Sequence, residues 1–475
     1  MELFAKTEGQ RLSLFHLACL FFHGDRENLT VKREDGEGEI RVALTLGERT
    51  AQGTAPVNEK LHLEPARAES AAVGLAFARA AEDLSSYQPP YGTLIGVRPV
   101  KVPLFYLERG IEKTELASLL EKEYRVSKEK AALLLSLAEE ELRAKKSLSP
   151  EDAMLYLSIP FCPSRCSYCS FISSSAPEHL SLLDGYVTAL AEEIRLTAEA
   201  MAEDGRRLRC IYMGGGTPGV LSPVQMERTL SAVKEAFDLS SLAEFCVEIG
   251  RPDTVTEEKL ALLRKMGVDR ISINPQTVHN ATLERIGRRH TAEDFYRAMA
   301  LAKKHAFPVI NCDLIAALPG EDGNDLLRSV DEVLALQPEN LTIHALSLKK
   351  SAEDRATPAV SAALRQAVEE GHGRCINAGL FPYYLYRQKN TASDLENTGF
   401  ALRGKESLYN LAMMEDLSDI YACGAGGIGK AVSRKGGKIR RYAQYKYPYE
   451  YLADPDRGRE LLAKRKREAA EEGDA

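Results

Sequence analysis

The spacing of apolar and polar positions changes near residue 150 and divides the chain into two patterns. In the first part, alternating runs at 28–32 and 39–46 flank a turn-rich segment, which predicts a β-hairpin. Helical spacing follows in three segments, at about 66–84, 114–124 and 127–145. We therefore predict a small α+β N-terminal domain over residues 1–90 and a helical linker region over residues 91–150.

In the second part, short apolar runs alternate with longer helical ones. The candidate strands cover 154–159, 209–213, 244–249, 270–274, 309–315 and 341–346. Repeated strand-then-helix units predict a parallel sheet, and six units are too few for a closed eight-fold barrel. The predicted fold class is α/β, with an incomplete (β/α)6 parallel barrel over residues 151–350 and a mainly helical C-terminal region over 351–475.

Composition narrows the class of protein. The 475 residues include 62 Lys and Arg against 69 Asp and Glu, a formal net charge of −7, so we expect no nucleic-acid partner. The longest early apolar stretch, 12–22, is too short to span a bilayer, and we predict no secretory signal. Nine scattered cysteines are not the pattern of a disulfide-rich secreted domain. We expect a cytoplasmic monomer with no membrane partner.

Three of the nine cysteines lie within eight residues, at Cys162, Cys166 and Cys169, just after the first strand of the predicted barrel. Thiolates are the ligands of iron–sulfur clusters, and a cluster of four irons normally takes four of them. A structural zinc site would need a fourth ligand, and no nearby histidine supplies one. The missing ligand indicates an open iron that binds the amino and carboxylate groups of a substrate.

Other unusual residues follow the ends of the predicted strands. Because the carboxyl ends of parallel strands meet at one edge of a sheet, these residues should converge. Gly214, Gly215 and Gly216 allow backbone to approach a ligand closely. Glu248 ends the third strand and has oxygens that accept hydrogen bonds from an amino group or a ribose diol. Further candidates, each of which could equally be an ordinary surface residue, are Gln276, Arg288 and Asp313.

The CxxxCxxC spacing after a strand resembles the signature of radical S-adenosylmethionine enzymes. This resemblance implies a [4Fe-4S] cluster on Cys162, Cys166 and Cys169, with S-adenosylmethionine bound to the open iron. It also implies a barrel of radical SAM type. In that family the reduced cluster cleaves the sulfonium to methionine and a 5′-deoxyadenosyl radical, which takes a hydrogen atom from the substrate.

Several segments show a more specific resemblance, to the oxygen-independent coproporphyrinogen III dehydrogenase (oxidase) family. Within that family they resemble the HemZ-type branch. The family segments are Tyr156 to Cys162, Gly214 to Pro218 and Asp313 to Gly320, and the branch segments are 251–253, 273–277 and 386–390. The resemblance implies oxidative decarboxylation of two propionates of the tetrapyrrole coproporphyrinogen III to vinyl groups, giving protoporphyrinogen IX in haem biosynthesis. It also implies an electron donor and an electron acceptor, which the sequence does not identify.

The family pattern also implies which residues contact S-adenosylmethionine. Matched position by position, Tyr156, Gly215 and Glu248 contact the cluster-bound molecule. The positions that contact a second molecule in the well-understood branch are Tyr168, Gly216, Thr217, Gln276, Arg288, Asp313 and Ala345. Whether one or two molecules bind is left open.

Two positions depart from the family pattern, since Ser158 stands in place of a histidine and Phe171 in place of a further cysteine. The first 150 residues do not resemble the family's substrate-covering element. Two alternatives therefore stay open: a haem-binding chaperone on the same scaffold, and a radical SAM enzyme with another substrate. Four propionates call for cations, and the candidates, each equally explained as a surface cation, are Arg98, Lys101, Arg251, Arg387 and Lys389.

Overall fold

The chain folds into two compact units. The computed structural model describes residues 1–22, 27–169, 177–347, 362–387, 395–433 and 439–472. The first unit comprises Met1–Leu142, Leu385–Lys389 and Ser393–Glu396, and the second comprises Arg143–Tyr384, Asn390–Ala392 and Asn397–Ala475. The four-part division expected from the sequence stays a prediction.

A four-stranded sheet organises the first unit. Its strands are β1 (Glu2–Phe4), β2 (Leu29–Asp35), β3 (Glu39–Leu46) and β4 (Arg49–Pro56). The helices of this part of the chain are α1 (Glu8–Phe21), α2 (Glu59–His62), α3 (Pro65–Glu82), α4 (Lys101–Leu107), α5 (Lys113–Lys122) and α6 (Lys128–Ser147). The strands lie in the order β1-β2-β3-β4, with β2, β3 and β4 antiparallel and β1 parallel to β2. The predicted hairpin is β2–β3.

The sheet of the first unit has one buried face, which packs against α3. On β3, Ile40, Val42 and Leu44 are buried, as expected for a sheet with one face on the core. The helix approaches β4 so closely that a Cβ on Gly53 would lie 2.1 Å from the Ala76 carbonyl oxygen. Glycine at position 53 therefore allows helix and sheet to pack.

The second unit is built on a longer sheet. Its strands are β5 (Asp152–Ile159), β6 (Arg207–Gly215), β7 (Glu244–Gly250), β8 (Arg270–Ile273), β9 (Val309–Ala316), β10 (Asn340–Ala345), β11 (Phe381–Arg387), β12 (Glu396–Ala401), β13 (Asp419–Cys423), β14 (Ile428–Val432) and β15 (Ile439–Ala443). The helices after α6 are α7 (Pro177–Leu180), α8 (Leu183–Glu203), α9 (Pro223–Ala236), α10 (Glu257–Lys265), α11 (Asn280–Arg285), α12 (Ala292–Lys304), α13 (Gly323–Ala335), α14 (Ala362–Asn377), α15 (Leu408–Glu415), α16 (Pro448–Ala453) and α17 (Arg457–Glu472).

The sheet order confirms the predicted barrel. The strands lie in the order β11-β12-β10-β9-β8-β7-β6-β5-β13-β14-β15, and the consecutive strands β5 to β10 pair in parallel. Helices connect them, so the architecture is an incomplete (β/α)6 barrel. The C-terminal region contains four helices, α14 to α17, among the described residues, and it also adds five strands to the sheet. Those strands were not predicted from the sequence.

The sequence of β12 explains why this strand escapes sequence analysis. Its residues, Glu-Asn-Thr-Gly-Phe-Ala, include only two apolar side chains, so β12 lacks the apolar run that identifies the barrel strands. The described C-terminal strands have five to seven residues each. In the structure β12 runs antiparallel to β10, and β13 runs parallel to β5. Among the described residues, no helix is both long and apolar enough to cross a membrane.

The amino-terminal ends of β7 and β8 are closed by the segment before α15. Glu244 accepts hydrogen bonds from Ser407 Oγ and from the Leu408 backbone N–H, both at 2.8 Å. The Arg270 side chain lies 3.6 Å from Glu244 and donates to the Lys405 carbonyl at 2.8 Å. A buried pair of opposite charges thus joins two barrel strands to the C-terminal region.

Replacing Arg270 with Met removes one partner of this pair and leaves the Glu244 carboxylate buried without its guanidinium. Because breaking a buried ion pair typically costs about 3–5 kcal/mol, we expect the free energy of unfolding to fall by about 3 kcal/mol. Calorimetric unfolding of the iron-free protein measures the change. The control is Lys265→Met, which removes an exposed contact with Glu227 and should cost less than about 1 kcal/mol. Equal effects in the two variants would contradict the importance of the buried pair.

Candidate functional site

The three clustered cysteines lie in the cysteine loop, residues 160–169, which follows β5. Cys162, Cys166 and Cys169 are half-buried and form no disulfide bond within the described part of the chain. The Cys169 N–H donates to the Cys166 carbonyl at 3.1 Å, so these two residues share one tight turn. The Thr217 hydroxyl donates to Cys162 Sγ at 3.4 Å. The loop therefore presents three thiols, and its other residues include no histidine or carboxylate that would compete as a ligand.

The glycine-rich turn after β6 lies directly against the cysteine loop. Gly216 N–H donates to the Ile159 carbonyl at 2.9 Å, and Thr217 N–H donates to the Phe161 carbonyl at 2.7 Å. A Cβ on Gly216 would lie 2.5 Å from the Phe161 oxygen, so only glycine fits there. Gly215 has φ +110, a conformation that glycine adopts without strain. The sequence analysis predicts that these glycines let the backbone approach a ligand. At Gly216 the backbone approaches the cysteine loop instead.

A buried arginine fixes the other side of the cysteine loop. Arg251 is 2% exposed and donates to both Asp253 carboxylate oxygens at 3.0 Å and to Ser164 Oγ at 2.5 Å. Ser164 Oγ in turn donates to the Gly287 carbonyl at 2.9 Å. Gly287 has φ +76, and a Cβ there would lie 2.8 Å from the Arg165 carbonyl oxygen. The loops after β7 and β8 thus hold the middle of the cysteine loop.

The buried position of Arg251 changes the interpretation of the cations that were candidates for binding propionates. The Arg251 guanidinium is buried against Asp253 and Ser164, so it holds the cysteine loop instead of a propionate. Arg98, Lys101 and Arg387 belong to the first unit, where Arg387 donates to the Leu94 carbonyl at 2.7 Å. Lys389 and the family departure at Phe171 lie outside the described residues.

Glu248 lies at the carboxyl end of β7 on the inner face of the barrel. Tyr212 donates its hydroxyl hydrogen to Glu248 Oε2 at 3.1 Å, and the Asn274 amide lies 3.4 Å from Oε1. The Tyr212 ring stacks on Tyr156 with centroids 6.2 Å apart. Burial and the neighbouring Asp313 carboxylate raise the pKa of Glu248 to about 7. The carboxyl group therefore changes its protonation near neutral pH.

Asp313 and His344 form a second polar pair on the same face. Asp313 accepts a hydrogen bond from the Asn311 amide at 2.9 Å, and His344 Nε2 lies 3.8 Å from Asp313 Oδ2. His344 Nδ1 lies 3.2 Å from the Asn397 side-chain oxygen, which also accepts the Ala345 N–H at 3.1 Å. Burial alone would lower the pKa of His344, but the contact with Asp313 raises it above its usual value.

Gln276 joins two neighbouring strand ends, and Arg288 connects the strand ends to the cysteine loop. Gln276 has φ +68, donates its N–H to the Asp313 carbonyl at 2.9 Å, and is 8% exposed. Arg288 donates to the Asn274 carbonyl at 2.6 Å and to the Tyr168 hydroxyl at 3.3 Å. Although burial opposes its charge, the neighbouring Tyr168 and Cys166 raise the pKa of Arg288. The Arg288 cation therefore lies beside the thiols.

These contacts bring the predicted site residues into one connected set. Arg288 and Thr217 join the cysteine loop to the barrel, Asn274 links Arg288 to Glu248, and Gln276 joins Asp313. The predicted residues placed in or directly beside this set are Tyr156, Tyr168, Gly215, Gly216, Thr217, Glu248, Gln276, Arg288, Asp313, Ala345, Cys162, Cys166 and Cys169. Their assigned roles stay predictions.

Sequence analysis missed several residues of this set. The glycine turn at 424–427 reaches the carboxyl end of β5, where Ser158 Oγ donates to the Ala425 carbonyl at 2.6 Å. The Gly424 N–H donates to the buried Glu193 carboxylate at 2.7 Å. Ser158, in the position of the family histidine, thus donates its hydrogen bond to this C-terminal turn. His344 was missed although it directly precedes the predicted contact Ala345, and Asn397 was missed because its strand was not predicted.

Comparison with known proteins identifies the family. The model of the radical SAM superfamily matches residues 156–333. The oxygen-independent coproporphyrinogen-III oxidase-like protein HemZ of Bacillus subtilis is 37% identical over 369 residues, which cover 76% of this chain and 74% of that protein. The chain belongs to the HemZ family of radical SAM proteins. The heme chaperone HemW of Lactococcus lactis is 34% identical over 278 residues, covering 58% of this chain and 68% of HemW.

A solved structure agrees on the fold. Coproporphyrinogen III oxidase HemN of Escherichia coli, described as a radical SAM enzyme, superposes with a TM-score of 0.50 at 20% identity. The match covers 66% of this chain and 71% of HemN. At this identity the similarity establishes the barrel and not the activity.

The family's cofactors are a [4Fe-4S] cluster and S-adenosylmethionine, and the site fits both. The cysteine loop offers three thiols beside the Arg288 cation, which suits anionic sulfur ligands. Gln276 Oε1 and Asn274 Oδ1 are buried and have no hydrogen-bond partner in the described part of the chain. Buried polar atoms are normally satisfied, so two such acceptors at the strand ends fit a polar ligand that supplies donors.

Replacing Glu248 with Gln should change how stability depends on pH. The folded-state pKa of about 7 lies above the reference value of 4.5, so the folded protein binds this proton more tightly than the unfolded chain. The stability from Glu248 is present below the unfolded pKa and is lost as pH rises through about 7. Relative to Glu248→Gln, the wild type should lose about 3 kcal/mol of unfolding free energy between about pH 4 and pH 8.

Urea titrations of the iron-free proteins measure this difference. Glu199→Gln, at an exposed glutamate on α8, is the control and should follow the wild type at every pH. Parallel pH profiles for the wild type and Glu248→Gln would show that the carboxyl group has an ordinary pKa.

Arg251→Ala should weaken the binding of iron by the cysteine loop. Substituting residues that orient metal ligands typically costs 10–100-fold in metal affinity, and we expect about 10-fold here. The measurement is the rate of iron loss to a chelator after anaerobic reconstitution, with iron and sulfide counted per chain. Arg195→Ala, at an exposed arginine on α8, is the control. Equal rates of iron loss would mean that Arg251 does not stabilise the loop.

Proposed function

We propose that the chain catalyses the oxygen-independent oxidative decarboxylation of two propionate side chains of coproporphyrinogen III to vinyl groups, giving protoporphyrinogen IX. The observation that carries the proposal is the similarity to HemZ over about three quarters of both chains. The connected set of residues at the strand ends, which includes Glu248, Gln276, Arg288 and Asp313, supports a radical SAM activity.

The proposed cluster ligands are Cys162, Cys166 and Cys169, with the fourth iron left for S-adenosylmethionine. When bound, the two cofactors supply a carbon-centred radical that abstracts a hydrogen atom. Tyr156, Gly215 and Glu248 are the proposed contacts of the cluster-bound molecule. As a carboxylate, Glu248 is suited to accept hydrogen bonds from its ammonium group, which favours binding above about pH 7, the pKa of Glu248.

Residues farther along the strand ends would hold a second S-adenosylmethionine. Gln276 offers a buried acceptor without a partner in the described structure, and Arg288 and Asp313 offer opposite charges. Tyr168 and Ala345 complete this proposed set. Gly216 and Thr217 would act through the cysteine loop, because their N–H groups already donate to the carbonyls of Ile159, just before the loop, and Phe161, within it.

The decarboxylation requires two further partners. Each vinyl group forms when a propionate loses one β-hydrogen atom, carbon dioxide and one electron, so two molecules of S-adenosylmethionine are consumed per product. The departing electron requires an acceptor, and reduction of the cluster requires a donor. Tetrapyrrole, donor and acceptor are therefore the proposed partners.

A second candidate function is haem binding and transfer. It is supported by relatives named heme chaperone HemW, among them the protein of Escherichia coli, which is 29% identical over 67% of this chain. Ser158, which stands where the well-understood family enzymes have a histidine, is turned to the Ala425 carbonyl in this structure. Ser158, where the chain differs from the decarboxylase pattern, lies near the end of β5, just before the cysteine loop.

An anaerobic incubation separates the two functions. Reconstituted protein receives a reductant, S-adenosylmethionine and coproporphyrinogen III, and mass spectrometry follows 5′-deoxyadenosine and the porphyrins. We expect tri- and dicarboxylate porphyrins to form together with deoxyadenosine, and neither to form with Cys166→Ala, because that variant lacks one cluster ligand.

The alternatives give different results in the same experiment. Deoxyadenosine without decarboxylation would exclude the proposed substrate and indicate a radical SAM enzyme with another one. One haem bound per chain, with no deoxyadenosine coupled to a porphyrin, would favour the chaperone.

A further inference from the structure

Tyr212 holds the Glu248 carboxyl group from the neighbouring strand. The Tyr212 hydroxyl on β6 donates to Glu248 Oε2 on β7 at 3.1 Å. The other carboxyl oxygen, Oε1, has a longer contact of 3.4 Å with the Asn274 amide. Sequence analysis does not predict Tyr212 as a contact of S-adenosylmethionine, whereas it does predict Glu248. The tyrosine therefore has its effect on a proposed ligand contact from outside the predicted set.

The Tyr212 ring belongs to a stack of three tyrosines. Its centroid lies 4.6 Å from that of Tyr409 and 6.2 Å from that of Tyr156, with interplanar angles of 21° and 23°. The rings of Tyr156 and Tyr409 are stacked at 6.4 Å. Tyr409 lies on α15 and is 5% exposed, so the C-terminal region supplies one of the three rings. Packing of this kind fixes the plane of the Tyr212 ring and the direction of its hydroxyl.

Gly214 leaves the space that this arrangement requires. Alternate residues of a strand lie on the same face, so a side chain at position 214 would point toward Tyr212. A Cβ on Gly214 would lie 2.7 Å from Tyr212 Cε1 and 3.0 Å from Glu248 Oε2. The first glycine of the turn therefore makes room for the tyrosine ring and the carboxyl group.

The groups around Glu248 have opposing effects on its protonation. The ionisable groups that face it are Tyr156, Tyr212, Arg288, Asp313 and His344. Burial and the Asp313 carboxylate raise the pKa of Glu248 to about 7. Tyr212, His344 and Arg288 oppose this rise, and the Tyr212 hydrogen bond has the largest effect of the three. Removing the hydroxyl should therefore favour the protonated carboxyl group.

We propose that Tyr212 is a positioning residue for S-adenosylmethionine, because it holds the Glu248 carboxylate ready to accept a hydrogen bond from the amino group of the ligand. Through Glu248, the Tyr212 hydroxyl also sets the pH above which the ligand binds tightly. The inference rests on the contact between Glu248 and S-adenosylmethionine in the proposed function. It does not depend on the identity of the tetrapyrrole substrate.

Tyr212→Phe tests the proposal, because it keeps the stacked ring and removes only the hydroxyl. Calorimetry measures the dissociation constant of S-adenosylmethionine between about pH 6 and about pH 9, on the anaerobically reconstituted protein without reductant. The ligand's own titration is the same for every protein, so it cancels in the ratio of two dissociation constants. The matched control is Tyr442→Phe on β15, which removes a hydroxyl that donates to Glu468 at 2.8 Å.

We expect the pKa of Glu248 to rise by about one unit in Tyr212→Phe. The variant should then bind S-adenosylmethionine about 5-fold more weakly than the wild type at about pH 7. At about pH 9, where the carboxyl group is ionised in both proteins, the difference should be less than about 2-fold. Tyr442→Phe should match the wild type at every pH. In a Glu248→Gln background, the effect of Tyr212→Phe should not change with pH.

Urea titrations of the iron-free proteins provide a measurement that requires neither cluster nor ligand. The stability from Glu248 is lost as pH rises through its folded-state pKa. A higher pKa moves this loss to higher pH, so the loss should occur about one unit higher in Tyr212→Phe than in the wild type. An unchanged profile would show that Tyr212 does not control the protonation of Glu248, and it would overturn the proposal.

The binding measurements can overturn the proposal in two further ways. A ratio of dissociation constants that is the same at every pH would indicate either general damage or no effect of the hydroxyl. Equally tight binding by Glu248→Gln and the wild type at about pH 8 would exclude the contact on which the inference rests. The decarboxylation assay is separate from both results, because it follows the porphyrin products and not the role of Tyr212.

Discussion

Two backbone hydrogen bonds join the glycine turn after β6 to the end of β5 and the start of the cysteine loop, and they hold the functional part of the molecule together. They tie Gly216 to Ile159 and Thr217 to Phe161, and they leave no room for a Cβ at Gly216. Because the cysteine loop has no regular secondary structure of its own, its geometry comes from its neighbours. The turn fixes one side of the loop, and Arg251, through Ser164, fixes the other. The positions of the three thiols follow from these two attachments.

The electrostatics of the site follow from the same fold. Parallel strands bring Glu248 and Asp313 to one edge, where partial burial and mutual repulsion favour the protonated form of Glu248. Arg288 supplies positive charge on the neighbouring loop, and the contact with Asp313 raises the pKa of His344 on the neighbouring strand end. The edge therefore carries two acids and two bases at close range, and its net charge changes near neutral pH. A cationic ligand such as S-adenosylmethionine experiences that change directly.

The barrel and its metal-binding loop were predictable because their signals are local. Each barrel strand is an apolar run followed by helical spacing, and the spacing of Cys162, Cys166 and Cys169 is visible in eight residues. The remaining features depend on distant contacts. Asn397 contacts His344, which lies 53 positions away in the sequence. Arg251 holds the cysteine loop, and does not bind a substrate propionate, because Ser164, 87 positions away, accepts its hydrogen bond. Burial decides the role of such a cation, and the sequence pattern does not report burial.

The pairing of β13 with β5 has a consequence for protein synthesis. Ser158, just before the cysteine loop, bonds to Ala425, which is translated 267 residues later. The Glu244 and Arg270 pair likewise meets its partners only when the segment at 405–408 has left the ribosome. A nascent chain therefore exposes its thiols long before the barrel around them is complete. The complete site therefore forms only after this C-terminal segment has been synthesised, and premature termination after β10 would yield the three cysteines without these C-terminal contacts.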